Sequence, residues 1–314
     1  MLRRLSPFAA AGVLALAAGA CASETSANDT DGPASVDLVA AFYPLEFVAN
    51  RVGGDHASVT NLAPPGAEAH DLELTPSQVA DLDQADLVAF VHGFQPAVDD
   101  AVEQYAGDAG FDVTELVPLL TESEEEANEE HEEDDGHGHE ETGTDLHVWL
   151  DPDRLATIAG ELAAALGERD PDHAAEYRTN ADALGEELAT LDTEYAEGLA
   201  ECERREIVVS HAAFGYLTDR YDLEQIAITG LSPEDEPSPQ QMEHVIEEAR
   251  EHGATTIFFE VLVSPAVAER IADQVGAETA VLDPIEGLAP DSDGDYFSIM
   301  RNNLAALRTA LGCT

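Results

Sequence analysis

The sequence predicts an α/β protein of two lobes, each with a mainly parallel sheet flanked by helices, joined by one long rigid helix. Three observations lead there. Short apolar runs alternate with helix-length segments, the pattern of βαβ units. The alternation breaks near residue 121 and restarts near residue 206. Between the two series, from Pro171 to Ala200, Ala174, Tyr177, Ala181, Leu184, Leu188, Leu191 and Tyr195 recur at helical spacings of three and four, with no internal proline.

Taken in order, Val36 to Tyr43 reads as a buried strand, Pro44 to Arg51 as a helix and Val59 to Leu62 as a strand. Thr75 or Ser77 caps a helix from Gln78, with Pro76 near its first turn. Leu87 to Val91 is a strand and Pro96 to Ala106 a helix. Residues 121–145 hold 13 Asp or Glu, together with His131, His137 and His139, and no apolar face, so a disordered surface loop is expected. The amphipathic helix Asp153 to Leu166 completes an N-terminal lobe of residues 36–170. The linking helix, 171–201, would be about 45 Å long at a rise of about 1.5 Å per residue, a strut that limits hinge closure. The C-terminal lobe, 202–314, then alternates strand 206–210, helix 212–221, strand 224–228, helix 239–252, strand 255–260, helix 265–275, strand 280–282 and helix 296–311. No close internal sequence repeat relates the lobes.

The formal net charge is −53 and lysine is absent, which argues against a nucleic-acid partner, because phosphate binding needs clustered cations. The bland reading of the acidic surplus is a solvated surface. Two arginines and a short apolar run from Pro7 to Ala20 form a secretory-signal pattern, too short for a comfortable span of about 20 residues. Gly19-Ala20-Cys21 is similar to a lipoprotein cleavage box, although Ala18 stands where Leu is usual. Residues 1–21 are therefore expected to be a lipoprotein-type signal. Cys21 would anchor the chain to the outer face of the membrane, or ordinary cleavage near Ala20 would leave it secreted or periplasmic. Residues 22–35 suit a flexible tether. Cys202 and Cys313 remain, as a disulfide in an oxidising compartment or as two buried thiols.

Three of the eleven histidines, His70, His147 and His211, fall where a strand or loop hands over to a helix. Ligands of open α/β sheets bind outside the carboxyl ends of strands, so histidines from both lobes can meet in the inter-lobe cleft. Imidazole suits Zn, Cu, Fe and Ni. The spacings of 77 and 64 residues match no local zinc motif, and any one histidine alone is more readily a surface or core residue.

Over about residues 36 to 313 the chain resembles the solute-binding proteins of zinc- and manganese-uptake ABC transporters, often called cluster A-I. The resemblance rests on Ala67-Glu68-Ala69-His70-Asp71-Leu72-Glu73-Leu74-Thr75-Pro76, Gly93-Phe94-Gln95-Pro96, His147-Val148-Trp149-Leu150-Asp151-Pro152, Ser210-His211-Ala212-Ala213-Phe214-Gly215-Tyr216-Leu217, Glu236-Pro237-Ser238-Pro239 and Tyr296-Phe297-Ser298-Ile299-Met300-Arg301-Asn302-Asn303-Leu304. It implies a monomer without enzymatic activity that captures a divalent metal outside the membrane and hands it to an ABC permease. It places metal ligands at His70, His147 and His211. The fourth comes from Leu282-Asp283-Pro284-Ile285-Glu286-Gly287-Leu288, with Glu286 ahead of Asp283 or a water. Three imidazoles and a carboxylate favour tetrahedral Zn²⁺, and His211 stands where manganese-type members usually carry a carboxylate. Ligand type alone leaves Cu²⁺ and Ni²⁺ open. The acidic loop is a feature of the zinc branch that the chain resembles, and its histidines either add weak accessory binding or belong to a plain soluble disordered insert. Asp151 or Glu260 is expected to accept from an imidazole N–H, and Trp149 to orient the His147 segment by packing. Metal affinity is expected to fall as pH drops through about 6.5. An adhesin or metal buffer, and more distantly a zinc hydrolase, are the rival readings.

Overall fold

Each half of the chain builds a four-stranded sheet whose pairings are all parallel. A computed structural model describes residues 36–121, 143–233 and 237–314. The expected signal, Cys21 and the tether lie outside these residues, as do His131, His137 and His139. The first sheet contains β1 (Val36–Ala40), β2 (Ala57–Asn61), β3 (Leu87–Phe90) and β4 (Gly110–Asp112) in the order β2-β1-β3-β4. β5 (Leu120–Thr121) and β6 (Thr144–Asp145) form an antiparallel pair. The second sheet contains β7 (Glu206–His211), β8 (Glu224–Thr229), β9 (Thr256–Phe259) and β10 (Glu278–Val281) in the order β10-β9-β7-β8. In both sheets the second strand adds to one side of the first and the third to the other. The two halves share one topology, and each has a switch point, beside β1 and beside β7, where ligand crevices form.

The helices are α1 (Tyr43–Gly53), α2 (Pro76–Gln84), α3 (Pro96–Ala101), α4 (Pro152–Arg169), α5 (Ala174–Gly198), α6 (Gly215–Tyr221), α7 (Pro239–Glu251), α8 (Ala266–Val275) and α9 (Tyr296–Leu311). Thr75, not Ser77, caps α2, through a capping box with Gln78. α3 ends earlier than expected, because the backbone widens into a π-turn over Val102–Ala106. β4 was not legible: its three residues are exposed or half-buried and form no apolar run.

The acidic segment departs from the expected surface loop at both ends. Thr121, Thr144 and Asp145 belong to the β5–β6 pair, and Asp145 is buried. The cause is Tyr216 of α6, whose hydroxyl accepts from Leu120 N (2.9 Å) and donates to Asp145 O (2.7 Å).

α5, 25 residues and about 37 Å long, buries Tyr177, Ala181, Leu184, Leu188, Leu191 and Tyr195, the stripe expected from the sequence. It is fastened to both halves. Asn180 donates to Val52 O (3.0 Å) and Arg51 pairs with Glu187 (2.5 Å). Towards the C-terminal half, Tyr195 donates to Met300 O (2.6 Å) and Arg301 pairs with Glu194 (2.7 Å). Phe47 of α1 stacks on Tyr296 of α9 with ring centres 5.3 Å apart. One continuous apolar core therefore includes residues of both sheets, and the described residues form one compact unit. A smaller core of Val208, Ile228, Val245, Ile257 and Ile271 lies within the C-terminal half. A disulfide joins Cys202 to Cys313, tying the segment after α5 to the end of α9.

Candidate metal centre

Four segments bring a donor to one point between the sheets. His70 lies in the connection from β2 to α2, and His147 follows β6. His211 is the last residue of β7, beside that sheet's switch point, and Glu286 stands in the loop between β10 and α9. One ligand atom from each lies within 4.8 Å of all the others. Glu286 Oε1 is 3.4 Å from His70 Nε2 and 3.2 Å from both His147 Nε2 and His211 Nε2. His147 Nε2 and His211 Nε2 are 3.4 Å apart. Donors at the corners of a tetrahedron around Zn²⁺, with bonds of about 2.0–2.1 Å, stand about 3.3–3.4 Å apart. Four of the six edges, at 3.2–3.4 Å, lie at or just under that length.

Carboxylates set the tautomers. His147 Nδ1 meets Asp145 Oδ1 at 2.8 Å, and His211 Nδ1 meets Glu260 Oε1 at 2.7 Å. An N–H held on Nδ1 leaves Nε2 as the free donor facing the cluster. The same Asp145 oxygen accepts from His147 N (2.9 Å), a turn that presets the ring, and Ser210 Oγ donates to Glu260. Gly215 makes room for this arrangement, since a Cβ there would fall 2.3 Å from Asp145 Oδ2. His70 is held differently. Its ring lies against Phe94 with centres 4.2 Å apart, its backbone N–H donates to Glu68, and Gln95 donates to Ala69 O (2.9 Å).

The charges are tightly coupled. Burial disfavours the charged form of His211, but Glu260 and Glu286 outweigh it and push the pKa up to about 10. His147 is also raised: Asp145 and Glu286 overcome its burial. For Glu286 burial acts to raise the pKa, yet hydrogen bonds from the three imidazoles hold it well below the ordinary carboxylate range. Without metal, then, the cluster is a carboxylate sharing protons with imidazoles, and a cation entering it displaces those protons.

The structure brings together all four residues singled out in the sequence. Asp283, the alternative donor, is turned away, and its Oδ1 accepts from Ile285 N (2.8 Å). Of the two expected imidazole acceptors, Glu260 serves and Asp151 does not. Asp151 caps α4 through Asp153 N and pairs with Arg154 and Arg220. Sequence reasoning missed Asp145 by placing it in the loop; the available signal was its position two residues before His147, suited to a side-chain-to-backbone turn. Trp149 is buried as expected and also donates to Pro284 O (2.7 Å), fastening the Glu286 loop. His56, His92, His173, His244 and His252 do not join the cluster.

The model of the family described as zinc-uptake complex component A, periplasmic, matches residues 38–310. The chain is similar to the high-affinity zinc uptake system protein ZnuA of Bacillus subtilis (strain 168), 32% identical over 305 residues and covering 94% of each chain. It is 33% identical over 288 residues to the zinc-binding lipoprotein AdcA of Streptococcus pneumoniae (strain R6), covering 90% of this chain but only 57% of that protein's length. Among solved structures it resembles the Zn(II)-bound ZnuA-like domain of Streptococcus pneumoniae AdcA, with a TM-score of 0.72, 30% identity and coverage of 88% and 98%. It also resembles the laminin-binding protein Lmb of Streptococcus agalactiae, described as a bifunctional adhesin and metal transporter, with a TM-score of 0.75, 28% identity and coverage of 88% and 99%.

Proposed function

The chain belongs to the zinc-uptake complex component A family, and from that premise we propose that it captures one Zn²⁺ outside the cytoplasm and delivers it to the permease of an ABC importer. His70, His147, His211 and Glu286 hold the ion. The observation that carries this reading is the set of donor separations of 3.2–3.4 Å among three imidazoles and one carboxylate, the edges of a zinc tetrahedron. Manganese prefers more oxygen donors and higher coordination, which this set does not supply. A catalytic zinc keeps a position open for water, whereas four protein donors fill a tetrahedral site, so the geometry favours binding over hydrolysis. The disulfide between Cys202 and Cys313 suits an oxidising, extracytoplasmic compartment. Among the described residues no helix is long and apolar enough to cross a membrane. The likeness of Gly19-Ala20-Cys21 to a lipoprotein cleavage box supports a lipid anchor at Cys21, and cleavage without lipidation would leave the chain secreted or periplasmic. Each chain carries a complete set of candidate ligands, so zinc capture needs no second copy.

Metal content and competition titration of the chain from residue 22 onward, beside His211→Ala, test the proposal. The expected result is one tightly bound zinc that outcompetes manganese and is sharply weakened in the variant. Preferential manganese binding, or a variant that holds zinc unchanged, would refute it.

A further inference from the structure

Glu286 stands on a loop tied from outside on both of its sides. Asp283 N donates to Asn303 Oδ1 (2.9 Å), and Asp283 O accepts from Asn303 Nδ2 (2.7 Å), a paired amide contact with a buried side chain of α9. Pro284 O accepts from Trp149, and Leu288 O accepts from Gly66 N (2.7 Å). These two tethers lead to the segments that carry His147 and His70. A Cβ on Gly66 would fall 2.7 Å from Pro290, and one on Gly287 would fall 3.1 Å from Ala67 O, so the two loops interlock through glycines.

Inside the tethers lies a strained residue. Ile285 has φ of +62°, a left-handed conformation that a β-branched side chain rarely adopts. Such a conformation persists only where its surroundings over-determine it. Here the Asp283 carboxylate accepts the Ile285 N–H and the Ile285 side chain is fully buried. Beside the loop a cavity of about 290 Å³, lined by Val261, Asp283, Leu288, Ile299 and Asn303 among others, gives the backbone space to move into.

We infer that Asp283 and Asn303 are positioning residues: they clamp the Ile285 turn so that Glu286 closes the site, and loosening the clamp withdraws Glu286 as the first ligand to leave. The turn relaxes toward extended backbone, a water replaces the carboxylate, and the ion is left on three imidazoles, ready to be passed on. The inference rests on the proposed zinc capture. Neither clamp residue donates to the ion, so they set how fast zinc leaves and not whether a site exists.

The test is the zinc dissociation rate of the mature chain, read by transfer to a chromogenic chelator. Asn303→Ala and Asp283→Ala are each expected to speed dissociation roughly 10- to 100-fold. Asp283→Asn keeps an oxygen to accept from Ile285 N and is expected to restore most of the wild-type rate. In a Glu286→Ala background, Asn303→Ala is expected to add less than about twofold, because the clamp acts only through Glu286. Full multiplication of the two effects, or Asp283→Asn as fast as Asp283→Ala, would overturn the clamp while leaving zinc capture standing. Failure of the wild-type chain to take up one zinc would overturn both. The Asp283 pair supplies the answer if Asn303→Ala does not fold.

Discussion

The two halves contribute two members each to the donor cluster and hold them differently. His211 ends a central strand, is fully buried and has its ring backed by Glu260, while the Glu286 loop is tied down at several points. On the N-terminal side, His147 is equally buried and backed by Asp145, but His70 rides on a long connection, its side chain 13% exposed and leaning on Phe94. Three donors are thus buried and held by carboxylates or by loop tethers, and the fourth, His70, lies nearest the solvent. Donors fixed by buried hydrogen bonds lose little entropy on binding, whereas the His70 ring is held mainly by packing on Phe94.

The largest expected effect breaks this comparison directly. His211→Ala removes a donor and strands Glu260 in the interior, so zinc affinity should fall by at least about 100-fold. His70→Ala should cost less, because it leaves no buried carboxylate unpaired. Equal losses in competition titration would show that the halves are equivalent after all. Next come the backing carboxylates: Glu260→Gln and Asp145→Asn should each weaken zinc roughly 10- to 100-fold. Phe94→Leu, which touches only the His70 side, should do less by the same titration.

The pH dependence sharpens the contrast further. Because the His211 pKa is held up at about 10, above the ordinary 6.5, its protonated form stabilises the metal-free fold. That stability is complete below 6.5 and is lost as pH rises toward about 10. Glu286 has the opposite sign: its contribution is present above the ordinary value of 4.5 and is lost as pH falls through its lowered pKa. The Tm of metal-free protein should therefore drop as pH rises from about 7 to about 10, and His211→Ala should flatten that slope. Zinc must displace the His211 proton, so affinity should already decline below a pH of about 10, by about tenfold per unit for one proton. This replaces the threshold near 6.5 expected from unperturbed imidazoles. A proton-release measurement in two buffers of different ionisation enthalpy checks the count.

The smallest effect concerns the acidic segment. All four donors lie among the described residues, and Tyr216 bonds both β5 and β6. Deleting 122–142 should leave the tight zinc intact and remove only weaker binding. Loss of the tight site would mean that the segment supports the N-terminal ligands.

Much of this was legible because it is local. Helical and strand periods are properties of short windows, so α5 and most of its buried stripe and the parallel alternation could be read directly, while the cap of α2 could be narrowed to Thr75 or Ser77. β4 and the π-turn were not, because three half-exposed residues and a widened helical turn carry no period. The histidines at strand and loop ends were visible as candidates, and motif resemblance selected among them.

By itself, then, the sequence carried the two-sheet architecture and, through motif resemblance, singled out three histidines that the structure brings together. Tertiary structure decided which groups stand behind those donors and which carboxylate completes them. Asp283 and Glu286 are the same chemistry three residues apart, and only the turn at Ile285, tied by Asn303 and Trp149, sends one into the cluster and the other into the backbone. Glu260 became the partner of His211 because the second sheet sets the ends of β7 and β9 side by side, whereas Asp145 reaches His147 across a local turn. The physical reason is range: a period is set by neighbours a few residues away, while a donor separation near 3.3 Å between residues 64 to 216 positions apart is set by how two sheets and their loops pack.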